Sequence, residues 1–544
     1  MASRLAGAIG RCRARLSDDA RAACAAARAH PCVALAYCLY IAWAQSVLFG
    51  QLADEGAQGV PLLATLIVPT ALIGTASLSM ALVFRRTRNQ LEGLGIRVFA
   101  CASMCAGTLF RLFLSLEPAQ GRSGGMFWLV YCFGWLLVAL GMSLFRIEMD
   151  RMLGWLGATK ALYVVMAGSV VLGPVLACCI LLPGVVAHAL AIALPLAASL
   201  LLNHEVRSLP KRRYFSVDPP LPLPRPVQFT ATSFVQGAVS GVFYAGLAMS
   251  GHTGASQGAA SQPVMAAASF VLGSVLVLVV CGMARFNFNK LIYKVGFPML
   301  AASLGILAVC SGCGEVGETL YRIAAVFTDL VLWSLGAYII KDMGMPACWI
   351  ASLPGGALFL GTSMGALVFL AVWRLMPDGM FALVEMPLLA ACLLLAASLF
   401  LLSERNMRSG WGTFRIGSDV DPYGDLDAAV ALLAGENGLT ARESDVVGAF
   451  ARRMTRKEVA EALCVGDETV KTHLRGIYRK TGAHSQSELV SLVEKTRASM
   501  RGMEYRQRWA NDPGGPAPKP GVHRLPQEPE KASTKFGRYA CGIS

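Results

Sequence analysis

LTARESDVVGAFARRMTRKEVAEALCVGDETVKTHLRGIYRKTGAHSQSELVSLVE, residues 439–494, is a polar, densely punctuated stretch in a chain otherwise dominated by apolar runs. Three helix starts within it carry the same device. Thr440-x-x-Glu443, Thr455-x-x-Glu458 and Ser485-x-x-Glu488 are capping boxes, in which a hydroxyl and a carboxylate satisfy orphan N–H groups reciprocally. A further helix must begin near Gly466-Asp467 and stop at Thr481-Gly482, where glycine accepts the left-handed backbone that ends helices. Apolar residues recur at helical spacing in each segment: Val446, Val447 and Phe450; Val459, Ala460 and Leu463; Val470, Leu474, Ile477 and Tyr478; Leu489, Leu492 and Val493. Four short helices around one small core are expected.

The third of these helices has a second face. Glu468, Lys471, Thr472, Arg475 and Arg479 fall at i, i+3, i+4, i+7 and i+11, one polar stripe with cations at its centre. Lys and Arg side chains can donate to guanine O6 and N7 or to phosphates. A short second helix, a turn over Cys464–Gly466 and a basic third helix give helix-turn-helix geometry, with the third helix suited to the major groove of double-stranded DNA. Residues 439–495 hold ten cations and eight anions, so any affinity for DNA rests on clustering rather than on bulk charge.

In this stretch Leu439, Thr440, Arg442, Glu443, Lys457, Glu458, Val459, Ala460, Leu463, Val465, Thr469, Val470, Lys471, His473, Ile477, Lys480, Gly482 and Glu488-Leu489 resemble the LuxR-type helix-turn-helix pattern of bacterial transcription regulators. The resemblance implies base-facing roles for Lys471, Thr472 and Arg475. It implies positions at or near the phosphate backbone for Thr455, Lys457, Thr469, His473 and Lys480, which Arg479 joins from the basic stripe. It further implies a homodimer paired through the last helix, 485–496. Two residues depart from the pattern. Gly466 stands where serine usually caps the recognition helix, and Gln486 stands where arginine is common.

Working outward, the rest of the chain reads as membrane. Of 544 residues 55% are hydrophobic and 15% charged, whereas a soluble protein carries roughly 25% charged residues. Twelve runs of spanning length are expected at 32–50, 60–84, 94–116, 126–147, 160–182, 184–202, 228–250, 263–283, 291–312, 319–340, 349–372 and 380–402. The domains are therefore a basic cytoplasmic N-terminus over 1–30, a twelve-span membrane domain over 31–402 with a central loop at 203–226, a linker at 403–438, the DNA-binding unit at 439–496, and a tail rich in Pro and Gly at 497–544. The fold class is all-α throughout. Most of the sixteen cysteines sit inside apolar runs, where Cys acts as a small hydrophobe.

Six spans on each side of a long basic loop resemble the architecture of the major facilitator superfamily of transporters. In that family the loop between spans two and three reads like G-x-x-x-D-R-x-G-R-R. Here FRRTRNQLEGLG has the arginines without the aspartate or the glycine spacing. Placing the N-terminus inside puts nearly every loop Lys and Arg inside; the outside loops hold only Arg122 and Arg374. Twelve spans from an inside start also finish inside. The expected location is thus the bacterial inner, cytoplasmic membrane, multi-pass, with both termini cytoplasmic.

Ionisable residues within spans are expensive and point to function. Arg111, His188, Glu318, Arg322, Asp329 and Glu385 are candidates for a site that binds an unknown small ligand; Arg97, nearer the inner edge, is expected to snorkel. Glu318, Arg322 and Asp329 share one helix face. Gly237-x-x-x-Gly241 and Gly361-x-x-x-Gly365 permit close helix contact. No motif indicates an enzyme, a cofactor or a metal site. The expected function is a membrane-bound one-component transcription regulator; the alternative is a transporter with a fused regulatory DNA-binding domain.

Overall fold

A computed structural model describes residues 2–49, 66–87, 91–116, 125–182, 184–208, 224–252, 262–284, 286–309, 314–342, 345–376, 380–401, 424–451, 454, 456, 459–460, 463, 465–493 and 495–496. The central loop over 209–223, most of the 403–438 linker, the tail, Thr455 and Lys457 lie outside them. The chain divides into two compact units, Met1–Asp421 and Pro422–Ser544.

Among the described residues the first unit is helical apart from short connections such as 91–93, 286–287 and 345–346. An N-terminal helix α1 (Ala2–Ala29) is followed by α2 (Pro31–Phe49), α3 (Val68–Thr87), α4 (Leu94–Leu116), α5 (Gly125–Leu156), α6 (Ala158–Leu181) and α7 (Gly184–Ser208). Then come α8 (Pro224–His252), α9 (Gln262–Ala284), α10 (Phe288–Val309), α11 (Gly314–Asp342), α12 (Ala347–Leu375) and α13 (Met380–Leu401). Among the described residues eleven helices are long and apolar enough to cross a membrane. The expected twelfth, 228–250, is present as α8 but falls short in apolarity, because Thr230, Thr232, Ser233, Gln236, Ser240 and four glycines dilute it. Two further features differ from expectation. Helix α5 runs on to Leu156, past the expected end at 147, carrying Glu148, Asp150 and Arg151 inside it rather than in a loop. Helix α10 contains a π-helical turn, Leu291–Gly296.

Large side chains such as Phe113, Met126, Leu129, Leu200, Leu399 and Phe400 point outward and are 60% exposed or more. Helices apolar on both inner and outer faces belong in lipid, where only the inner faces need specific partners. Inside, Trp43 donates to the Thr108 hydroxyl at 3.0 Å, joining α2 to α4. Tyr40 stacks on Phe145 and Tyr37 meets Trp333 edge-on.

The two Gly-x-x-x-Gly motifs turn out to be halves of one seam. A Cβ on Gly237 or Gly241 of α8 would lie 2.0 Å from the Leu358 carbonyl oxygen or 2.1 Å from that of Thr362 on α12. A Cβ on Gly361 or Gly365 would lie 2.3 Å from the Phe234 oxygen or 1.9 Å from that of Ala238. Backbone meets backbone here, which no residue but glycine permits. The other side of α12 meets α3, where Gly356 packs beside Leu78 and the Gly74 carbonyl.

The second unit contains α14 (Gly424–Asn437), α15 (Ala441–Ala451), a helical turn around 459–460, α16 (Asp467–Thr481) and a helix over 486–493. Val446, Val447, Phe450, Val459, Val470, Ile477 and Leu489 are fully buried in its core, each large side chain contributing roughly 1.5–3 kcal/mol. Helix α14 lies before the stretch read as the DNA-binding unit, yet Leu426, Ala429, Val430 and Leu433 pack into the same core.

Candidate functional site

The N-terminus of α15 forms the expected reciprocal box: the Glu443 N–H donates to Thr440 Oγ1 at 3.3 Å and the Thr440 N–H to Glu443 Oε2 at 2.7 Å. At the last helix the Glu488 N–H donates to Ser485 Oγ, but the Glu488 carboxylate accepts from the His484 N–H rather than from Ser485. The Thr455–Glu458 box lies outside the described residues. Helix α16 starts after Gly466, which offers no side-chain cap, and ends at Gly482 with φ 72°.

On α16 the stripe faces solvent: Glu468, Thr472, Arg475 and Arg479 are exposed and Lys471 is half-exposed. Thr469 is exposed and His473 half-buried. Before DNA arrives, the central cation is already engaged. Lys471 Nζ contacts the Glu468 carboxylate and lies 4.0 Å from that of Asp467. Asp467 in turn accepts from Arg456 Nε at 2.6 Å. The carboxylates suit the positive end of the helix dipole, but they also screen Lys471 from an approaching phosphate. The Thr472 hydroxyl donates to the Glu468 carbonyl at 3.0 Å. Arg475 thus presents the least encumbered charge at the middle of the stripe, with no hydrogen bond or ion pair to another described residue.

Lys480 stands apart from this face. Its ammonium donates to Glu443 Oε2 at 2.7 Å and to the Gly438 carbonyl at 3.1 Å, tying α16 to the start of α15. The same carboxylate caps α15, so Lys480 and the Thr440 N–H together hold Glu443 down to about 2 from its ordinary 4.5. The mid-helix glycine makes room for this: a Cβ on Gly476 would sit 2.6 Å from Glu443 Oε1. Gln486 donates to the Met454 carbonyl at 3.4 Å.

Residues 437–493 match the family described as bacterial regulatory proteins, luxR family. This segment is a LuxR-type helix-turn-helix domain. The chain is 44% identical over 57 residues to the HTH-type transcriptional activator RamA of Corynebacterium glutamicum, covering 10% of this chain and 20% of that protein. It thus spans about a fifth of the length of that relative. Over the first unit, solved structures of low similarity include the outward-facing fucose transporter FucP of the major facilitator superfamily (TM-score 0.44, 13% identity, 68% of this chain and 98% of that one). The human organic anion transporter MFSD10 gives 0.48 at 14% identity, covering 68% and 97%. A bacterial homologue of the iron transporter ferroportin gives 0.44 at 15%, covering 68% and 98%. Likeness at this level says nothing of transport.

The six membrane candidates are distributed rather than gathered. Arg111 donates to the Val47 carbonyl at 2.6 Å and lies over the Trp135 ring at 4.0 Å. Arg322 and Glu318 form an i,i+4 pair at 2.7 Å on α11. Glu385 is half-buried on α13 and makes no hydrogen bond or ion pair to another described residue. His188 lies on α7, its side chain outside the described set. Asp329 accepts from Gln236 Nε2 of α8 at 2.6 Å, while Gln236 Oε1 is buried without a partner. Arg97 does not snorkel: it donates to Asn203 Oδ1 at 3.0 Å and reaches Glu148 at 3.4 Å, in a chain continued by Arg151 and Glu92.

The centre that sequence reading missed is Arg146 of α5. Its guanidinium lies 4.4 Å above the Trp333 ring and 3.6 Å from the Asp150 carboxylate, with Gly355 of α12 alongside. Its Nε is buried without a hydrogen bond. Trp333 is one turn beyond Asp329 on α11 and touches Tyr37 of α2. Charge, amide and aromatic groups from α2, α5, α8 and α11 therefore converge, drawn from both six-helix halves. The only sequence signal is the charged run Arg146-Ile-Glu-Met-Asp-Arg151, which straddles the end of the expected span 126–147.

Proposed function

We propose that this protein is a one-component transcription regulator of the bacterial inner membrane. Its multi-pass domain senses a small ligand, and its LuxR-type domain binds DNA on the cytoplasmic side. The observation that carries the reading is the joining, in one chain, of a helix-turn-helix domain with an exposed basic stripe to helices, eleven among the described residues, that are long and apolar enough to span lipid. The distribution of Lys and Arg supports placing both termini in the cytoplasm. Two copies pair through the helix beginning near Ser485, so that two recognition helices meet a two-fold site. The ligand contacts the cluster around Arg146, Gln236, Asp329 and Trp333, which supplies a cation, an unpaired amide oxygen and an aromatic face. A ligand that contacts both halves shifts their packing only by its differential affinity for two arrangements.

The test is genome-wide DNA capture with the full chain in its membrane, wild type against Lys471→Ala/Arg475→Ala, alongside substrate uptake into vesicles. Discrete promoter occupancy, lost in the double variant, supports the regulator. Uptake with occupancy unaffected by the double variant returns the reading to a transporter with an appended domain.

A further inference from the structure

At the joint between α1 and α2 the chain reads Ala29-His30-Pro31-Cys32, and near the end of α7 it reads Asn203-His204-Glu205. These two short pieces, some 170 residues apart in sequence, converge. Cys32 Sγ lies 3.9 Å from His204 Nδ1. One donor atom each from Cys32, His204 and Glu205 lies within 4.8 Å of the others. His30 Nδ1 lies 2.9 Å from Glu205 Oε1, and that carboxylate side chain is only 14% exposed.

We propose that Cys32, His204 and Glu205 form a binding site for a divalent transition-metal ion of the zinc class, with His30 as the residue that orients Glu205. The donor set is one thiolate, one imidazole and one carboxylate. Zinc accepts all three, whereas calcium and magnesium take oxygen donors. Sulfur and nitrogen ligands placed tetrahedrally on zinc are about 3.6 Å apart, given Zn–S and Zn–N lengths of about 2.3 and 2.05 Å. The 3.9 Å separation between Cys32 and His204 needs only a small rotamer adjustment to meet that value. His204 is exposed, leaving a fourth position open to water. A hydrogen bond from a neighbouring imidazole to a ligating carboxylate is the outer support that metal sites use to fix ligand orientation. A bare His30–Glu205 ion pair accounts for two of the four residues. It does not account for a thiol and a second imidazole converging on the same carboxylate. Binding replaces the S–H bond of Cys32 by an S–metal bond and releases its proton to solvent, so affinity rises with pH.

The position gives the ion leverage. His30 is the single residue between α1 and α2, so an ion held through Glu205 fixes that joint to the end of α7. Helix α1 itself rests on the membrane domain through Ala23 and Ala26, and Asp19 accepts from the Tyr163 hydroxyl of α6 at 3.4 Å.

The experiment uses the full chain in detergent, stripped with chelator and titrated with Co²⁺ as a spectroscopic stand-in, then with Zn²⁺ against a chromophoric chelator. One equivalent of Co²⁺ should produce thiolate-to-metal charge-transfer absorption that Zn²⁺ bleaches. Cys32→Ser should abolish the band; His204→Ala and Glu205→Gln should weaken affinity 10- to 100-fold, and His30→Ala about 10-fold with the band retained. Thermal unfolding and DNA binding of each metal-free variant, compared with the metal-free parent, show that the variant is folded. A band that survives Cys32→Ser with the chain folded places the metal on another of the sixteen cysteines and overturns the proposal. So does weak, non-stoichiometric binding by the parent.

Discussion

Replacing Lys480 with methionine separates a structural lysine from a DNA-contacting one. In the folded domain the Lys480 ammonium bonds Glu443 at 2.7 Å and the Gly438 carbonyl at 3.1 Å, with its side chain 28% exposed and that of Glu443 9% exposed. Glu443 is held at about 2 against an ordinary 4.5, with Lys480 the largest cause. Because the folded value is the lower one, the associated stability is fully present above about pH 4.5 and is lost as pH falls toward 2. The full shift corresponds to roughly 3 kcal/mol at about 1.4 kcal/mol per tenfold change in affinity. Solvent screening in so small a unit, and the share belonging to the Thr440 N–H, leave about 1–2 kcal/mol for Lys480. Urea and thermal unfolding of the unit beginning at Pro422 should show Lys480→Met less stable by that amount at pH 7, a fall of about 5–15 °C in Tm. The gap should narrow to about a quarter of its neutral-pH size by pH 2.5 and close below pH 2. Affinity for DNA per folded molecule, and its dependence on salt, should be unchanged. A stability gap independent of pH, or a reduced salt slope with normal stability, would refute the assignment of Lys480 to the fold.

Gly476→Ala should destabilise the same unit despite the higher helix propensity of alanine, about 1 kcal/mol in its favour. The new methyl lands 2.6 Å from Glu443 Oε1, and the expected sign is read from the same unfolding curves. Arg475→Ala should weaken promoter binding and lower the salt slope by about 1 for each lost phosphate contact, or relax preference at one base pair by about 1–3 kcal/mol if it reads a base. Glu468→Gln frees Lys471 and removes a charge facing the phosphates; non-specific affinity should rise several-fold in a competition titration. In the membrane unit, Gly365→Ala should abolish monodisperse protein on size exclusion, since its methyl would meet a carbonyl at 1.9 Å. Gly305→Ala, which meets nothing within 4 Å, should be tolerated.

Local chemistry was legible and partnership was not. Thr440 with Glu443 announces a helix start because both groups act within one turn of chain. The limits of α16 follow from Gly466 and Gly482 for the same reason. The membrane helices announce themselves through length and apolarity. What periodicity lacks is which faces meet. Arg97 reads as a snorkelling residue until α5 and α7 supply Glu148 and Asn203. Arg146 reads as a charge at the last turn of a span until α5 is seen to continue past it and α11 to place Trp333 beneath it. Lys480 fits the pattern of a phosphate contact, yet its partner Glu443 lies 37 residues earlier. The Cys32–His204–Glu205 group has no ligand spacing at all, because its parts come from opposite ends of the first six spans.

The seam between α8 and α12 has a mechanical corollary. With carbonyl oxygens of each helix filling the places where the other lacks a Cβ, the pair resembles a zip of four teeth with no side chains to act as a cushion. Sliding by one residue would drive a methyl, or a larger group, into a backbone oxygen. The two rods can therefore rock or travel together, but they cannot slip along one another. Any rearrangement of the membrane domain must leave this pair intact and find its give elsewhere. The π-turn of α10, where the regular helical ladder is already interrupted, is one place in the second half where a helix can bend without breaking a close contact of that kind.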